Sequence, residues 1–161
     1  MITAALSSPE PLTSEHNVAG FVCSNDSLSQ WLTRRALANS VAGASRTYVV
    51  CAPKRQVVGY YALAAGSIAV AVAPGRVRRN MPDPIPCIVL GRLAVHQGWT
   101  GRGIGAGLLK DAVLRALQAS ELIGVRALVC HAIDAGAKAF YVHHGFVESP
   151  HQPSLMLLGL G

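Results

Sequence analysis

The stretch LAVHQGWTGRGIGAGLL, residues 93–109, joins a strand-like apolar segment to a helix-like segment through a turn rich in glycine. Arg102 adds a positive charge inside this turn. Four glycines leave its backbone bare: Gly98, Gly101, Gly103 and Gly105. Backbone N–H groups at the start of a helix bind anions, and glycine lets an anion approach them closely. The stretch therefore predicts an anion-binding turn followed by a helix that begins near Ile104.

The composition predicts one compact α/β domain spanning residues 1–161. Hydrophobic residues make up 51% of the chain and charged residues 14%, which is typical of a globular protein. No apolar run reaches the roughly 18 residues of a membrane span. The N-terminus, MITAALSSPEPL, lacks the basic start and long apolar core of a signal peptide. We therefore expect a cytoplasmic protein with no membrane contact.

The four cysteines and the charged residues indicate which kinds of ligand the protein binds. Cys23, Cys51, Cys87 and Cys130 are far apart and show no metal-ligand spacing, so we expect free thiols and no bound metal. The formal net charge is +6, and several basic residues are adjacent in sequence, above all in 76–79. A basic surface favours a polyanion such as a nucleic acid or a phosphorylated cofactor.

Hydrophobic periodicity places the remaining elements around the glycine turn. It predicts an amphipathic helix within 24–40, strands at 46–52, 57–70 and 87–95, a basic loop at 73–86, and a further strand at 125–132. Asp134 is expected to cap a helix that Gly145 ends, and a last strand covers 156–158. The order predicts a mixed sheet covered by helices. Gly91, inside the third strand, indicates a bulge or a close backbone approach.

Three phosphate-binding patterns are compared with the turn. A P-loop requires Gly-Lys-Ser/Thr at its end, whereas Leu108 and Leu109 follow Gly107 here. A dinucleotide fingerprint can be fitted to Gly101, Gly103 and Ala106, but the repeated βαβ context is missing. The third pattern ends in Gly-x-Gly/Ala between a strand and a long helix. TGRGIGA, residues 100–106, resembles in this respect the pyrophosphate loop of the GNAT superfamily of acyl-CoA N-acyltransferases.

A second segment, AFYVHHGF at residues 139–146, also resembles a GNAT motif. The resemblance implies the GNAT fold, in which two parallel strands of a mixed sheet splay apart, and acetyl-CoA as cosubstrate. It implies that the first of these strands pairs with pantetheine, that the turn binds pyrophosphate, and that Phe140 lies at the cofactor. The residues so assigned are Leu93, Ala94 and Val95 for pantetheine, and Thr100, Gly101, Arg102, Gly103, Ile104, Gly105 and Ala106 for pyrophosphate. Thr100 departs from the Arg or Gln that is usual in the family.

Tyr141 in the second motif is the predicted catalytic acid. A phenol, with a pKa of about 10, can return a proton to a leaving thiolate of pKa about 8.5. No strong general base is evident, since the strand 87–95 carries no carboxylate and His96 and His131 are more consistent with structural roles. An α-amine, with a pKa of about 7.7–8.0, is already partly neutral at pH 7. These features favour an α-amine carried on a polyanion, namely aminoacyl-tRNA.

Several segments together resemble a narrower group, the TacT/AtaT type of GNAT toxins: RTYVV, VVGYYALAAGSI, RRNMPDPIP, VLGRLAV and FYVHHGF. The resemblance implies acetylation of the α-amine of aminoacyl-tRNA and arrest of translation. It implies a homodimer, neutralisation by a ribbon-helix-helix antitoxin, and contact with operator DNA through that antitoxin alone. It also directs a set of arginines towards the acceptor stem: Arg76, Arg78, Arg79 and Arg92, and less directly Arg34 and Arg35.

Two other classes remain open from the sequence. One is a GNAT enzyme that acetylates a small-molecule amine or a protein N-terminus, although a polycationic substrate would favour more carboxylates than the eight present. The other is a non-catalytic acyl-CoA sensor or RNA-binding module, which would bind acetyl-CoA without turnover. Tyr141 within an intact motif argues against this second class.

Overall fold

The computed structural model describes residues 5–161, and seven strands form a mixed sheet in this part of the chain. The strands are β1 (Glu10–Pro11), β2 (Arg46–Ala52), β3 (Gln56–Ile68), β4 (Ile85–Val95), β5 (Ala127–His131), β6 (Val147–Glu148) and β7 (Leu155–Gly159). The helices are α1 (Asp26–Arg34), α2 (Ala36–Ala42), α3 (Gly75–Arg78), α4 (Ile104–Ser120) and α5 (Ala135–His143). The strand order is β1-β2-β3-β4-β5-β7-β6, so the predicted mixed α/β sheet is confirmed.

The main elements match their predicted positions, with three differences. The helix predicted within 24–40 is two helices, because Arg35 takes φ −124° and ends α1 while its N–H still bonds the Trp31 carbonyl. The predicted basic loop contains the four-residue helix α3. The two-residue strands β1 and β6 were not predicted, because two residues are too few to show an alternating pattern.

The described chain consists of two compact units. The first contains the described residues up to Ala64 together with Arg92–Ala112. Antiparallel β2 and β3 form its centre, and β1 extends them at the edge of β2. Its core buries Leu12, Phe21, Leu32, Ala36, Val49, Val57, Tyr60 and Ala94, among others. Asn25 caps α1 by accepting the Leu28 N–H, which fixes where this helix starts.

The second unit contains Ala65–Gly91 and Val113–Gly161. Here β5 pairs in parallel with β4 and antiparallel with β7. Its core buries Ala73, Val77, Ile85, Cys87, Ala127, Val129, Leu155 and Leu157. Asp134 caps α5 by accepting the Ala137 N–H at 2.7 Å, and Gly145 follows the helix with φ +94°, as predicted.

The parallel ladder between β4 and β5 is short. It pairs Cys87–Val89 with Ala127–Val129, while β4 continues to Val95 and β5 to His131. This is the arrangement expected where two parallel strands splay apart. The close approach predicted at Gly91 is not observed, since a Cβ built there would meet no atom within 4 Å. In the part of the chain that the structure covers, no helix has the length and apolar character needed to cross a membrane.

Candidate active site

The glycine turn adopts a backbone that only glycine takes without strain. Gly101 and Gly103 have φ values of +74° and +78°, in the region that L side chains disfavour. The Gly107 N–H bonds the Gly103 carbonyl at 3.0 Å, which starts the helical hydrogen bonding of α4. The N–H groups just before Gly107 therefore belong to the first turn of a helix, where donors have no intrahelical partner. The turn thus offers several backbone donors beside the positive end of a helix dipole.

Space for a ligand remains beside these donors. A Cβ at Gly101 or Gly103 would meet no protein atom within 4 Å. A cavity of about 220 Å³ lies within the first unit at the start of α4. It is lined by Leu6, Ser7, Pro9, Val50, Arg102, Gly103, Ile104, Gly107 and Leu108. The open approach, the bare backbone and the cation of Arg102 together fit a phosphate group.

Three side chains around the turn are held by local contacts. The Arg102 guanidinium lies 4.5 Å from the centre of the Trp99 ring, so its charge stays close to the turn. The Thr100 hydroxyl donates to the Gln97 carbonyl at 3.4 Å and thus serves the turn itself. His96 accepts the Gly98 N–H at Nδ1 (2.9 Å), and its Nε2 lies 3.0 Å from the Gly20 carbonyl oxygen. Both imidazole nitrogens are thus engaged, which leaves His96 no lone pair for a general base.

The last residues of β4, Leu93–Val95, belong to the same unit as the turn. The His96 N–H donates to the Val58 carbonyl at 2.8 Å, which ties the end of β4 to β3. On the side of β5, the pairing of β4 ends at Val89. The backbone of Leu93–Val95 therefore suits the edge pairing that an extended pantetheine arm requires.

Tyr141 lies in α5 of the second unit and is buried among aromatic rings. Its ring centre is 5.3 Å from that of Phe140 and 5.4 Å from that of Phe146. Burial raises the pKa of Tyr141 above the usual tyrosine range, and a side-chain hydrogen bond with Cys130 raises it further. Burial also raises the pKa of the Cys130 thiol to about 12. The phenol therefore stays protonated at and well above neutral pH.

The predicted basic residues Arg76, Arg78 and Arg79 belong to the short helix α3 and the residue that follows it, and all three are exposed. Val77 between them is buried and anchors the helix in the core of the second unit. Arg126 donates from Nε to the Val77 carbonyl and from a terminal nitrogen to the Arg76 carbonyl, both at 3.1 Å. These two bonds hold the helix that carries the three arginines.

Arg92 lies in the first unit, where its guanidinium is 4.4 Å from the centre of the Trp31 ring. The structure thus places the turn, Leu93–Val95 and Arg92 in one unit, and Arg76–Arg79, Phe140 and Tyr141 in the other. Sequence reasoning did not identify Trp31, Cys130 or Arg126. Trp31 and Arg126 contact residues about 50 or more positions away, and Cys130 of β5 contacts Tyr141 of the helix that follows; no local pattern signals such contacts between separate elements.

Glu10, His16 and Cys51 form a cluster whose donor atoms lie within 4.8 Å of one another. The Nδ1 atom of His16 accepts the Thr13 N–H at 2.9 Å, so the imidazole proton is on Nε2. That proton is donated to the Glu10 carboxylate at 3.0 Å. Because neither nitrogen has a free lone pair, the hydrogen bonds account for this cluster without an ion.

The geometry can be compared with known proteins. The model of the acetyltransferase (GNAT) domain matches residues 44–148. A tRNA-acetylating toxin of Mycobacterium tuberculosis (strain ATCC 25618 / H37Rv) is 52% identical over 153 residues, which cover 94% of this chain and 92% of that protein.

Two solved structures are similar to the whole chain. AtaT complexed with acetyl-methionyl-tRNAfMet has a TM-score of 0.88 at 28% identity and covers 96% of this chain and 95% of its own. A mutant AtaT toxin bound to the C-terminus of the antitoxin AtaR and acetyl-CoA has a TM-score of 0.81 at 26% identity, with coverage of 97% and 94%. The fold around the glycine turn is therefore shared with proteins that have been solved with acetyl-CoA and with acetylated tRNA.

Proposed function

Because this chain belongs to the acetyltransferase (GNAT) family, we propose that it is a toxin that transfers acetyl from acetyl-CoA to the α-amine of aminoacyl-tRNA. The product cannot serve as an elongating aminoacyl-tRNA, so translation stops. The observation that carries the proposal is the 52% identity to a tRNA-acetylating toxin along 94% of the chain. The local chemistry of the turn, the tyrosine and the arginines supports it independently.

The glycine turn and the end of β4 bind the cosubstrate acetyl-CoA. The backbone N–H groups of 100–106 bind the pyrophosphate of acetyl-CoA, and Arg102 adds a charge that Trp99 holds in position. Leu93, Ala94 and Val95 pair with the pantetheine arm, and Phe140 packs against the cofactor. Thr100 stands where the family usually has Arg or Gln, and its hydroxyl donates to the Gln97 carbonyl. The backbone N–H groups of the turn therefore provide most of the hydrogen bonds to the pyrophosphate.

Tyr141 supplies the proton for the leaving group. The neutral α-amine attacks the carbonyl carbon of the thioester, the C–S bond breaks, and the thiolate accepts the phenolic proton. The proton of the new ammonium group passes to water, and the phenol is restored from solvent. The raised pKa of Tyr141 keeps the phenol protonated before the C–S bond breaks. It also makes proton transfer to the thiolate, whose conjugate acid has a pKa of about 8.5, less favourable than from an ordinary phenol.

The exposed arginines and the lack of a general base at the end of β4 indicate which acceptor the enzyme uses. His96 is fully hydrogen-bonded, and β4 carries no carboxylate, so the amine itself must have a low pKa. An esterified α-amine meets this requirement and a lysine side chain does not. The exposed Arg76, Arg78 and Arg79, together with Arg92, bind the phosphates of the acceptor stem.

The assignment as a toxin also implies how the enzyme is regulated and in which cell compartment it acts. A ribbon-helix-helix antitoxin neutralises the enzyme and carries it to operator DNA, where the complex represses its own operon. The enzyme acts as a homodimer in the cytoplasm, where charged tRNA and acetyl-CoA occur. The AtaT structure with the C-terminus of AtaR supports an antitoxin that binds the toxin directly.

A translation extract tests the proposal directly. Purified protein and labelled acetyl-CoA are added to an extract with charged tRNA, and Tyr141→Phe protein serves as the control. We expect label on the aminoacyl end of tRNA by mass spectrometry and a stop in synthesis with the wild type alone. If label appears on free small amines or protein N-termini while synthesis continues, the acceptor assignment is wrong.

A further inference from the structure

Cys130 is a buried thiol that the proposed reaction does not use. It lies in β5 of the second unit, where it pairs with Met156 of β7, and only 1% of the residue is exposed. Helix α5 follows β5, and its Tyr141 forms a side-chain hydrogen bond with Cys130. Among residues 5–161, this thiol is the side chain that the structure bonds to the phenol. The chemistry of Tyr141 therefore involves Cys130 as well.

Burial argues against a nucleophilic role for the Cys130 thiol. A cysteine attacks as its thiolate, and burial raises the pKa of Cys130 to about 12, so the group is a neutral thiol at working pH. Cys130 therefore keeps its own proton throughout the reaction. A thiol that carries its proton is a weak hydrogen-bond donor as well as a weak acceptor.

The phenol is the donor in this hydrogen bond as long as it is protonated. Burial is the main reason for the raised pKa of Tyr141, and the hydrogen bond with Cys130 adds to the rise. A bond that adds to the rise favours the neutral phenol, which is the effect of a phenol that donates. Because sulfur is a weak acceptor, the bond directs the phenolic proton without holding it strongly. A stronger acceptor, such as the thiolate of coenzyme A, can therefore take the proton.

Transfer of this proton leaves a phenolate at a residue that is only 8% exposed. An anion that is shielded from water is strongly disfavoured unless a donor bonds it. The transfer is already uphill, because the raised pKa of Tyr141 lies above that of a thiol, which is about 8.5. A hydrogen-bond donor next to the phenol oxygen would offset part of this cost, since bonds to charged groups are the strong ones.

We propose that Cys130 is a positioning residue for the acid: its thiol accepts a hydrogen bond from the Tyr141 phenol at rest and donates one to the phenolate after proton transfer. The change requires only rotation of the S–H group about the Cβ–Sγ bond. The phenolic proton goes to the sulfur of coenzyme A, the thiol proton stays on Cys130, and solvent later restores the phenol. This inference rests on the proposed function, in which Tyr141 protonates the leaving thiolate.

Two substitutions of the thiol separate this role from packing. Acetylation kinetics with charged tRNA and melting temperatures are measured for the wild type, Cys130→Ala and Cys130→Ser. Alanine neither accepts nor donates, so we expect kcat to fall about tenfold, with the KM values for acetyl-CoA and tRNA unchanged. Serine accepts and donates as cysteine does, so this variant should recover most of kcat.

Cys87→Ala is the matched control. Cys87 is also 1% exposed and belongs to the second unit, but it lies in β4 and its thiol bonds the Ile85 carbonyl at 3.4 Å. Its substitution removes the same sulfur atom from a core position. We expect it to lower the melting temperature about as much as Cys130→Ala does and to leave kcat unchanged. An equal loss of kcat in both alanine variants would show that packing alone is responsible, and would overturn the inference.

Infrared spectroscopy reports the hydrogen bond without catalysis. The S–H stretch of cysteine absorbs where other protein groups do not, and its frequency changes with the hydrogen bonding of the thiol. Cys130→Ala identifies the band of Cys130 among the four free thiols. We expect Tyr141→Phe to shift this band and to leave the other three unchanged, because Cys130 alone loses its partner. An unshifted Cys130 band would show that the thiol and the phenol are not bonded, and would overturn the inference.

The kinetic outcomes distinguish this inference from the proposed function. If the wild type acetylates charged tRNA and Cys130→Ala keeps its kcat, or if serine restores no more activity than alanine, Cys130 does not assist the acid and the proposed function is unaffected. If the wild type acetylates no charged tRNA, the proposed function is wrong and so is the inference that rests on it.

Discussion

Ile104, the first residue of α4, packs directly on Gly59 of β3. A Cβ built at Gly59 would lie 2.9 Å from Ile104 Cγ2 and 3.0 Å from Leu108 Cδ1. The absence of a side chain at Gly59 therefore lets the start of α4 approach the strand closely. Because the glycine turn runs straight into Ile104, this contact also sets the position of the backbone N–H groups of the turn.

We expect Gly59→Ala to move the start of α4 and to weaken both the fold and cofactor binding. A β-branched neighbour cannot turn aside cheaply, so overpacking should cost about 1–3 kcal/mol of unfolding free energy. The melting temperature should fall by roughly 2–4 °C per kcal/mol, and the KM for acetyl-CoA should rise. Gly20→Ala is the matched control, since a Cβ there meets no atom within 4 Å. Equal melting temperatures for the two variants would show that the contact does not constrain α4.

Gly103→Ala tests the backbone of the turn without touching the core. Gly103 has φ +78°, where an L side chain costs roughly 1–2 kcal/mol, and a Cβ there meets no protein atom. We expect calorimetry to show acetyl-CoA binding weakened about tenfold or more, since the strain reorients the amides and the methyl group enters the anion's approach. Gly124→Ala, which also has open space but no positive φ, should bind normally. Normal binding by the Gly103 variant would place the pyrophosphate elsewhere.

Gly103 and Gly59 show which features of the structure can be predicted from the sequence and which cannot. The turn was predictable because four glycines stand together between 98 and 105 and a helical period follows them. Gly59 lies inside a strand and carries no signal of the helix that packs on it from residue 104. In the same way the predicted arginines of 76–79 were local, whereas the bonds that hold them come from Arg126, which lies just before β5 and about 50 residues later in the sequence. The sequence therefore predicts sites made of neighbouring residues, but it does not predict the tertiary contacts that hold those sites in place.

Tyr141→Phe should separate binding from turnover. Phenylalanine keeps the ring contacts with Phe140 and Phe146 and removes only the hydroxyl, so the variant should fold and bind acetyl-CoA normally. Loss of a general acid lowers turnover by about 100- to 10,000-fold. We therefore expect kcat to fall in that range, with the KM for acetyl-CoA nearly unchanged. Calorimetry and single-turnover acetylation of charged tRNA measure the two effects separately, and full activity would remove Tyr141 as the acid.

The pH dependence of the reaction follows from the raised pKa of Tyr141. The acceptor α-amine must be neutral, and esterification lowers its pKa below the usual α-amine value of about 7.7–8.0, so kcat/KM should rise with pH and level off below about pH 8. Tyrosine normally loses its proton near pH 10, but burial and the bond with Cys130 keep the phenol protonated above this range. We expect kcat/KM to reach a plateau and show no decline up to about pH 9.5 in brief incubations that limit ester hydrolysis. A fall above pH 8.5 would indicate an acid with a lower pKa than the buried phenol has.

Arg126→Gln should weaken tRNA binding although Arg126 is assigned no contact with RNA. Helix α3 has only four residues, too few to be stable alone, and the guanidinium bonds two of its carbonyls. Glutamine cannot span both carbonyls, so Arg76, Arg78 and Arg79 should lose their fixed arrangement. We expect the KM for charged tRNA to rise about five- to tenfold and its salt slope to fall by about one or more, with the KM for acetyl-CoA unchanged. Lys54→Gln removes one exposed charge from a turn elsewhere in the chain and is the control. If that variant loses as much affinity, net charge alone explains the effect, and the basic helix needs no support from Arg126.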